Sequence, residues 1–256
     1  MRRTTRRCRT MTAADPLRQA RIDLAAALRW AERHGFSEAI CNHFSFMVPG
    51  TTDRFLINRQ GLHWRETTAS SLLLVDNDGK LLEGDAPPEP TAFYIHWRLH
   101  RAAPQARCIL HTHMPYATAL TMLEDAELLP ALQTSLMFHE QIAYDPDYNG
   151  LAFDEAEGDR MAAKLGNRSV LFLANHGVIV TGSTVHEAYD KLYYLERACM
   201  TTVLALSTGK TLKLVRPEVR ARTAEQMRGA VGHTQQTAHF EALKRILDKE
   251  APDYRH

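Results

Sequence analysis

Apolar positions along the chain follow two different periods, and these periods divide it into predicted helices and strands. From Asp15 to Gly35 they recur at helical spacing, with Asp15 placed to cap the helix and Gly35 placed to end it. The next segments carry short apolar runs bounded by turn residues, which is typical of strands. We therefore predict strands within 43–50 and 54–61 and a hairpin over 71–84, whose turn is Asp-Asn-Asp-Gly.

The second half of the chain alternates predicted helices with short apolar strands, and a polar helical region closes it. The predicted helices lie over 91–102, 115–124, 129–137, 153–165, 184–208 and 217–250. The predicted strands lie over 106–113, within 141–150 and, as two strands separated by a His-Gly break, over 169–182. This order predicts one α/β domain over 13–212 and a C-terminal helical extension over 213–256.

Composition narrows the classes of partner. Hydrophobic residues make up 45% of the chain and charged residues 24%, a balance that supports a sizeable core. The formal net charge is +1. Without the five arginines in the first ten residues, the rest of the chain carries a net charge of about −4. We expect residues 1–12 to be a disordered basic tail, and we expect no nucleic-acid partner. The longest apolar run, within 169–182, is too short and too polar to span a membrane.

The four cysteines are widely spaced and form no C-x-x-C pair. This spacing favours neither a disulfide framework nor a zinc knuckle. A reducing compartment fits the pattern best, so we predict a cytoplasmic protein.

Three histidines at the ends of apolar strands raise the question of a metal site. His111 and His113 project to the same face of a strand, where both can reach one ion. Thirteen histidines predict roughly 0.6 H-x-H pairs by chance, so the pair alone is weak. His176 precedes a glycine and is read either as part of a turn or as a third ligand. For His96 and His100, spaced i and i+4, a packed His96 and an exposed His100 are favoured over chelation.

Taken together, these motifs resemble the class II aldolase/adducin family. The resemblance runs from about Ala39 to Ala205, through "NHFSFMVPG", "FLINRQGLHWRETTASSLLLVDNDGKLLEG", "FYIHWRLHRAAPQARCILHTHMPYATAL" and "LFLANHGVIVTGSTVHEAYDKLYYLERAC". It implies a three-layer α/β/α sandwich around a mainly antiparallel sheet, and a homotetramer with active sites at subunit interfaces. It also implies that His111, His113 and His176 hold a divalent metal, with zinc expected and manganese or iron as alternatives.

The chain departs from the family's sugar-phosphate aldolases at two places. Those enzymes carry a catalytic glutamate four residues before the helix histidine, where this chain has Ala92. Asn42 and Gly61 match phosphate-loop positions and are expected to bind substrate, but Cys41 replaces a glycine whose backbone would approach the phosphate. The resemblance therefore implies a small-molecule substrate without a phosphate, and it is nearest to the family members that lack the glutamate.

Three residues are candidates for the missing acid/base: Glu140, Tyr144 and Glu89. The plain alternative is that Glu140 is solvated, that Tyr144 is packed and that Glu89 faces water.

The first hypothesis is a metal-dependent lyase that cleaves or decarboxylates a small oxygenated substrate through a metal-stabilised enediolate. A non-catalytic adducin-like interaction module is the second hypothesis, and a non-haem iron oxygenase is the third.

Overall fold

The structure is a computed structural model that describes residues 15–125, 127–151 and 154–256. The predicted basic tail over 1–12 lies outside the described residues. The strands of this part of the chain are β1 (His43–Met47), β2 (Arg54–Ile57), β3 (Leu73–Asp76), β4 (Leu81–Glu83), β5 (Cys108–Thr112), β6 (Ile142–Asp145), β7 (Val170–Leu173) and β8 (Gly177–Gly182). The helices are α1 (Pro16–Arg33), α2 (Pro90–Ala102), α3 (Pro115–Thr121), α4 (Glu155–Leu165), α5 (Val185–Leu206), α6 (Pro217–Arg228) and α7 (Ala230–Glu250).

All eight strands form one sheet in the order β4-β3-β2-β1-β5-β8-β7-β6. Adjacent strands are antiparallel except β6 and β7, which are parallel. Helices α1, α3 and α5 pack on one face of the sheet, and α2 and α4 pack on the other. The predicted three-layer sandwich around a mainly antiparallel sheet is confirmed.

Alternation along β1 shows how the two faces differ. Phe44 and Phe46 point into the large apolar core beneath α1 and α5. His43, Ser45 and Met47 point to the opposite face, toward α2, as the two-residue period of a strand requires. The face that carries these polar side chains is the one on which the candidate site lies.

Most predicted elements are present, and one predicted helix is wrong. The region 129–137 contains only a 3₁₀ turn at Thr134–Phe138. The hydroxyl of Ser135 donates to the carbonyl of Leu132 and accepts from its N–H, and such local bonds compete with a regular helix. Helix α3 is also shorter than predicted: it ends at Thr121, whereas the predicted helix extends to residue 124.

Thr184 caps α5 by accepting a hydrogen bond from the N–H of Glu187. In a capping box, the carboxylate of Glu187 would accept a hydrogen bond from the N–H of Thr184, which it does not do here. It accepts from the N–H of Ser183 instead, one residue earlier.

The C-terminal helices pack against the domain. Phe240 and Leu247 of α7 join the core beneath α1 and α5. The chain then turns back, and the carbonyls of Tyr254 and His256 accept from the N–H groups of Ala69 and Ser70 at 2.9 and 2.7 Å. The boundary at residue 213 stays a prediction. Within the described residues, no helix is both long and apolar enough to cross a membrane.

Candidate metal centre

The candidate site lies at one edge of the sheet, where several strands begin or end together. Strand β5 runs antiparallel to both β1 and β8, so its C-terminal end lies beside the first residues of its two neighbours. His111 and His113 come from the end of β5, and His176 precedes the first residue of β8. The topology therefore brings together three histidines that are far apart in sequence.

The three side chains converge on one point. Each offers one nitrogen, and these atoms lie within 4.8 Å of one another. The Nε2 atoms of His111 and His113 are 3.2 Å apart, and the ring centroid of His176 lies 4.9 Å from each of the other two rings. Three imidazole nitrogens that meet in this way leave further coordination positions open, which is the arrangement of a catalytic metal site.

Hydrogen bonds fix which nitrogen of each β5 histidine is free. Nδ1 of His111 donates to the carbonyl of Val178 at 3.1 Å, and Nδ1 of His113 donates to the carboxylate of Glu38. In both rings the proton therefore sits on Nδ1, and the Nε2 lone pair points to the common centre. Outer partners of this kind orient metal-binding histidines and raise their basicity.

Burial favours the neutral form of two of the three rings, His111 and His176. It lowers the pKa of His176 to about 4 and holds the pKa of His111 well below the usual value for histidine. A neutral imidazole is the form that binds a metal. The donor set and the convergence of the three side chains fit a divalent cation such as zinc, manganese or iron.

The glycine after His176 is required by the site. A Cβ at Gly177 would lie 2.6 Å from the carbonyl oxygen of Thr112 and 2.7 Å from Cδ2 of His113. Real Cβ atoms do not approach so closely, so only glycine lets β8 begin this close to the end of β5.

A buried carboxylate supports the residues after His113. Glu196 of α5 accepts hydrogen bonds from the N–H groups of Tyr116 and Ala117, both at 2.9 Å. These N–H groups belong to the first turn of α3, which has no side-chain cap of its own at Met114. Burial raises the pKa of Glu196, and the two backbone hydrogen bonds oppose that rise.

The two predicted substrate-binding residues lie at the same edge. Asn42 immediately precedes β1 with a φ of 73°, and its amide nitrogen is buried without a hydrogen-bond partner. Gly61 follows the end of β2, which pairs with β1, and its φ of 82° favours glycine. Asn58 joins the two loops, because its side chain bonds Phe44 N–H and the carbonyl of Asn42.

Residues 22–203 match the model of the Class II Aldolase and Adducin N-terminal domain. The chain belongs to the class II aldolase and adducin family. A putative aldolase class 2 protein of Caulobacter vibrioides is 37% identical over 240 residues, which cover 92% of this chain and 91% of that protein. The crystal structure of an aldolase II superfamily protein from Pseudomonas syringae has a TM-score of 0.87 at 35% identity, covering 95% of this chain and 98% of that one. Beta-adducin of Rattus norvegicus is 32% identical over 90% of this chain, which spans only 34% of that protein.

The position of the family's glutamate is apolar here. Ala92 lies in the first turn of α2, is 2% exposed, and packs against Met47, Phe55 and Ile57 of the sheet. Glu89, one turn earlier, is half-buried and caps the helix: its carboxylate accepts from the N–H of Ala92 at 2.7 Å and from the hydroxyl of Thr91. Glu89 therefore stays on the face of the sheet that carries the histidines, with its carboxylate engaged in capping.

Within one chain, the structure does not bring the other two acid/base candidates to the histidines. Glu140 is exposed and precedes β6, which runs parallel to β7, so it lies at the opposite end of the sheet from His176. Tyr144 packs against the core on the opposite face, where its hydroxyl accepts from the N–H of Leu128 at 2.9 Å. Burial raises the pKa of Tyr144 to about 12.

Two residues of the site were not predicted from the sequence. Glu38 lies in the loop before β1, where no periodicity marks it. His43 begins β1 directly opposite His111, and their ring centroids are 4.8 Å apart. His43 could have been predicted from its position opposite His111. That position becomes visible only once the pairing of β1 with β5 is known.

A buried polar network extends from His43 under α2. His43 Nδ1 lies 2.7 Å from His96 Nε2, and the hydroxyl of Ser45 bonds both His96 Nδ1 and, at 2.8 Å, His100 Nε2. His100 Nδ1 donates to the carbonyl of Ala106 at 2.8 Å. His96 is packed as predicted, but the predicted exposure of His100 is wrong. It is 7% exposed, because both its nitrogens find partners inside the protein.

Proposed function

We propose that this chain is a metal-dependent lyase that cleaves or decarboxylates a small oxygenated substrate without a phosphate group. The observation that carries the proposal is the convergence of His111, His113 and His176 with coordination positions left open. A bound divalent cation would polarise a substrate carbonyl and stabilise the negative charge left when a carbon–carbon bond breaks.

The chain's own residues would bind and orient the substrate. Asn42 lies at the histidine edge, directly before His43, with its side-chain oxygen accepting from the N–H of Glu38, and would contribute to substrate binding there. The carboxylate of Glu38 faces His113 and would repel a second anion near it. Arg59, in the loop between β2 and Gly61, is already paired with Asp85 at 2.7 Å. These features support a substrate that is not phosphorylated.

The acid/base remains a proposal. Of the three residues predicted, Glu89 is the one that a single chain leaves on the histidine face, on the helix that also carries His96. Glu140 and Tyr144 of the same chain do not lie near the histidines. We retain Glu89 and test it by substitution to Gln, which keeps the acceptor oxygen for the Ala92 N–H and removes the carboxylate.

We also propose a homotetramer with the site near a subunit interface. Several large apolar side chains near this edge of the sheet are exposed, including Met122 at 67% and Tyr148 at 51%. The ring of Tyr148 lies 6.3 Å from that of His176. Exposed apolar surface of this kind is typical of a protein–protein contact. Light scattering on the eluting protein gives the subunit number directly.

The decisive experiment combines metal analysis with turnover. Freshly purified protein should contain about one zinc, manganese or iron per chain, and His113→Ala should contain none, with exposed His233→Ala as the matched control. Loaded wild type should then turn over at least one hydroxycarbonyl or carboxylate compound in a screen that follows carbon–carbon cleavage. Absence of metal in the wild type, even after incubation with an excess, would refute the proposal.

A non-catalytic adducin-like module is the second candidate, favoured by Ala92 and by the similarity to beta-adducin. It predicts metal-loaded protein without turnover in any family reaction. Iron in the purified protein, with oxygen consumption on addition of substrate, would instead favour an oxygenase.

A further inference from the structure

The buried network under α2 has a fixed direction, and one of its ends is a carbonyl. The carbonyl oxygen of Ala106 can only accept a hydrogen bond, so Nδ1 of His100 must carry a proton. A neutral imidazole carries one proton, and Nε2 of His100 is therefore an acceptor. The hydroxyl of Ser45, 2.8 Å away, must donate to it.

The same reasoning continues to the next two rings. With its hydrogen committed to His100, the Ser45 oxygen can only accept from Nδ1 of His96. Nε2 of His96 then has a lone pair and must accept from Nδ1 of His43, 2.7 Å away. Each member has one donor and one acceptor role, and no member can reverse alone without losing a bond.

The other end of the network is the second nitrogen of His43. Because Nδ1 of His43 holds the proton, its Nε2 is an unprotonated acceptor. Nε2 has no hydrogen-bond partner among the described residues, and it is not one of the buried unpaired polar atoms. His43 is half-buried, whereas His96 and Ser45 are fully buried. Solvent and ligands therefore reach Nε2 at the edge where the metal ligands converge.

We propose that His43 is a substrate-specificity residue, held by the Ser45–His96 network as an obligate hydrogen-bond acceptor for a neutral hydroxyl group of the substrate. This use of the acceptor rests on the proposed function, but the direction of the network does not. A lone pair at this position disfavours a phosphate or carboxylate oxygen, which also accepts. An acceptor at this position suits a polyhydroxylated or hydroxyaromatic compound.

The direction of the network is tested first by nitrogen NMR of metal-free protein labelled with ¹⁵N-histidine. The His43 signals, assigned by their absence in His43→Gln, should show a protonated Nδ1 and an unprotonated Nε2. Ser45→Ala removes the acceptor of His96 Nδ1–H. The His96 proton should then move to Nε2 and donate to His43, which reverses the His43 tautomer. Ser135→Ala, a buried serine in another part of the fold, should leave the His43 spectrum unchanged.

The use of the acceptor is tested with two small probes, dihydroxyacetone and hydroxyacetone. Both contain a carbonyl beside a hydroxyl for the metal, but only the first offers another hydroxyl to His43. Binding is followed through the visible spectrum of cobalt-substituted protein. Wild type should favour dihydroxyacetone by about five-fold, the value of one net hydrogen bond, and Ser45→Ala should lose that preference.

The possible results separate the two proposals. An Nε2-protonated His43 in the wild type, or an equal probe preference in wild type and Ser45→Ala, would overturn the inference. If the tautomer and the preference are as expected but no carbon–carbon bond is cleaved in any screen, the lyase proposal fails and the binding role of His43 stands. If cobalt does not bind, the proposed metal site fails, while the tautomer result still decides the direction of the network.

Discussion

Gly177 and His113 approach each other so closely that a side chain at position 177 would collide with the imidazole. A Cβ there would lie 2.7 Å from Cδ2 of His113. We expect Gly177→Ala to displace the end of β5 and to lower metal affinity at least about ten-fold, because ligand geometry is set by this contact. Metal titration against a chromophoric chelator measures the change.

The matched control is Gly182→Ala, at the other end of the same strand. Its Cβ would meet the backbone nitrogen of Ala188 at 2.7 Å, a comparable collision far from the histidines. It should destabilise the fold and leave the metal affinity of the folded protein close to wild type. Equal losses of affinity in both variants would mean that Gly177 acts only through global stability.

The carboxylate of Glu38 is expected to tune the centre through His113. Glu38→Gln keeps the shape of the side chain and removes the charge that holds the Nδ1 proton of His113. We predict a 10- to 100-fold weaker metal affinity, the usual effect of removing such a partner. Glu250→Gln, which removes one partner of the surface ion pair with Arg33, is the control. An unchanged affinity would show that the Glu38–His113 contact has no role in binding.

Glu196 should matter for the stability of the fold. Glu196→Ala leaves the N–H groups of Tyr116 and Ala117 without acceptors, so urea unfolding should show a loss of about 1–3 kcal/mol. Glu196→Gln should recover part of that loss, because the amide oxygen still accepts. If the Ala variant is as stable as wild type, water replaces the carboxylate as the acceptor for the N–H groups of Tyr116 and Ala117.

The stability of the metal-free protein should fall as the solution is acidified below about pH 6.5. Burial lowers the pKa of both His43 and His100 to about 3, whereas their unfolded value is near 6.5. Between those values only the unfolded chain binds the proton, so acid favours unfolding.

Each such histidine contributes up to about 1.4 kcal/mol per pH unit in this window. His100→Gln should therefore reduce the slope of unfolding free energy against pH between 6.5 and 5, while His233→Gln, at an exposed position, should not. Identical slopes in wild type and His100→Gln would show that His100 is protonated equally in both states.

The sequence predicted those parts of the site that local pattern can reveal. One apolar run stops at His111 and His113, and another stops just before His176. These stops mark the ends of two strands. The contributions of Glu38 and His43 depend on pairings across the sheet, which spacing does not contain. The failure of Glu140 and Tyr144 as neighbours of the histidines has the same origin. The direction of β6 and the face to which its side chains point follow from its pairing with β7.

The hydrogen bond between His111 and Val178 joins residues separated by 67 positions in the chain. The third ligand reaches the centre only when β8 is paired with β5, which is a non-local contact. An unfolded chain offers a metal little more than the H-x-H pair. We predict that a metal bound here acts as a cross-link that forms after the rate-limiting step of folding. It should then slow unfolding in proportion to its affinity and leave the refolding rate almost unchanged.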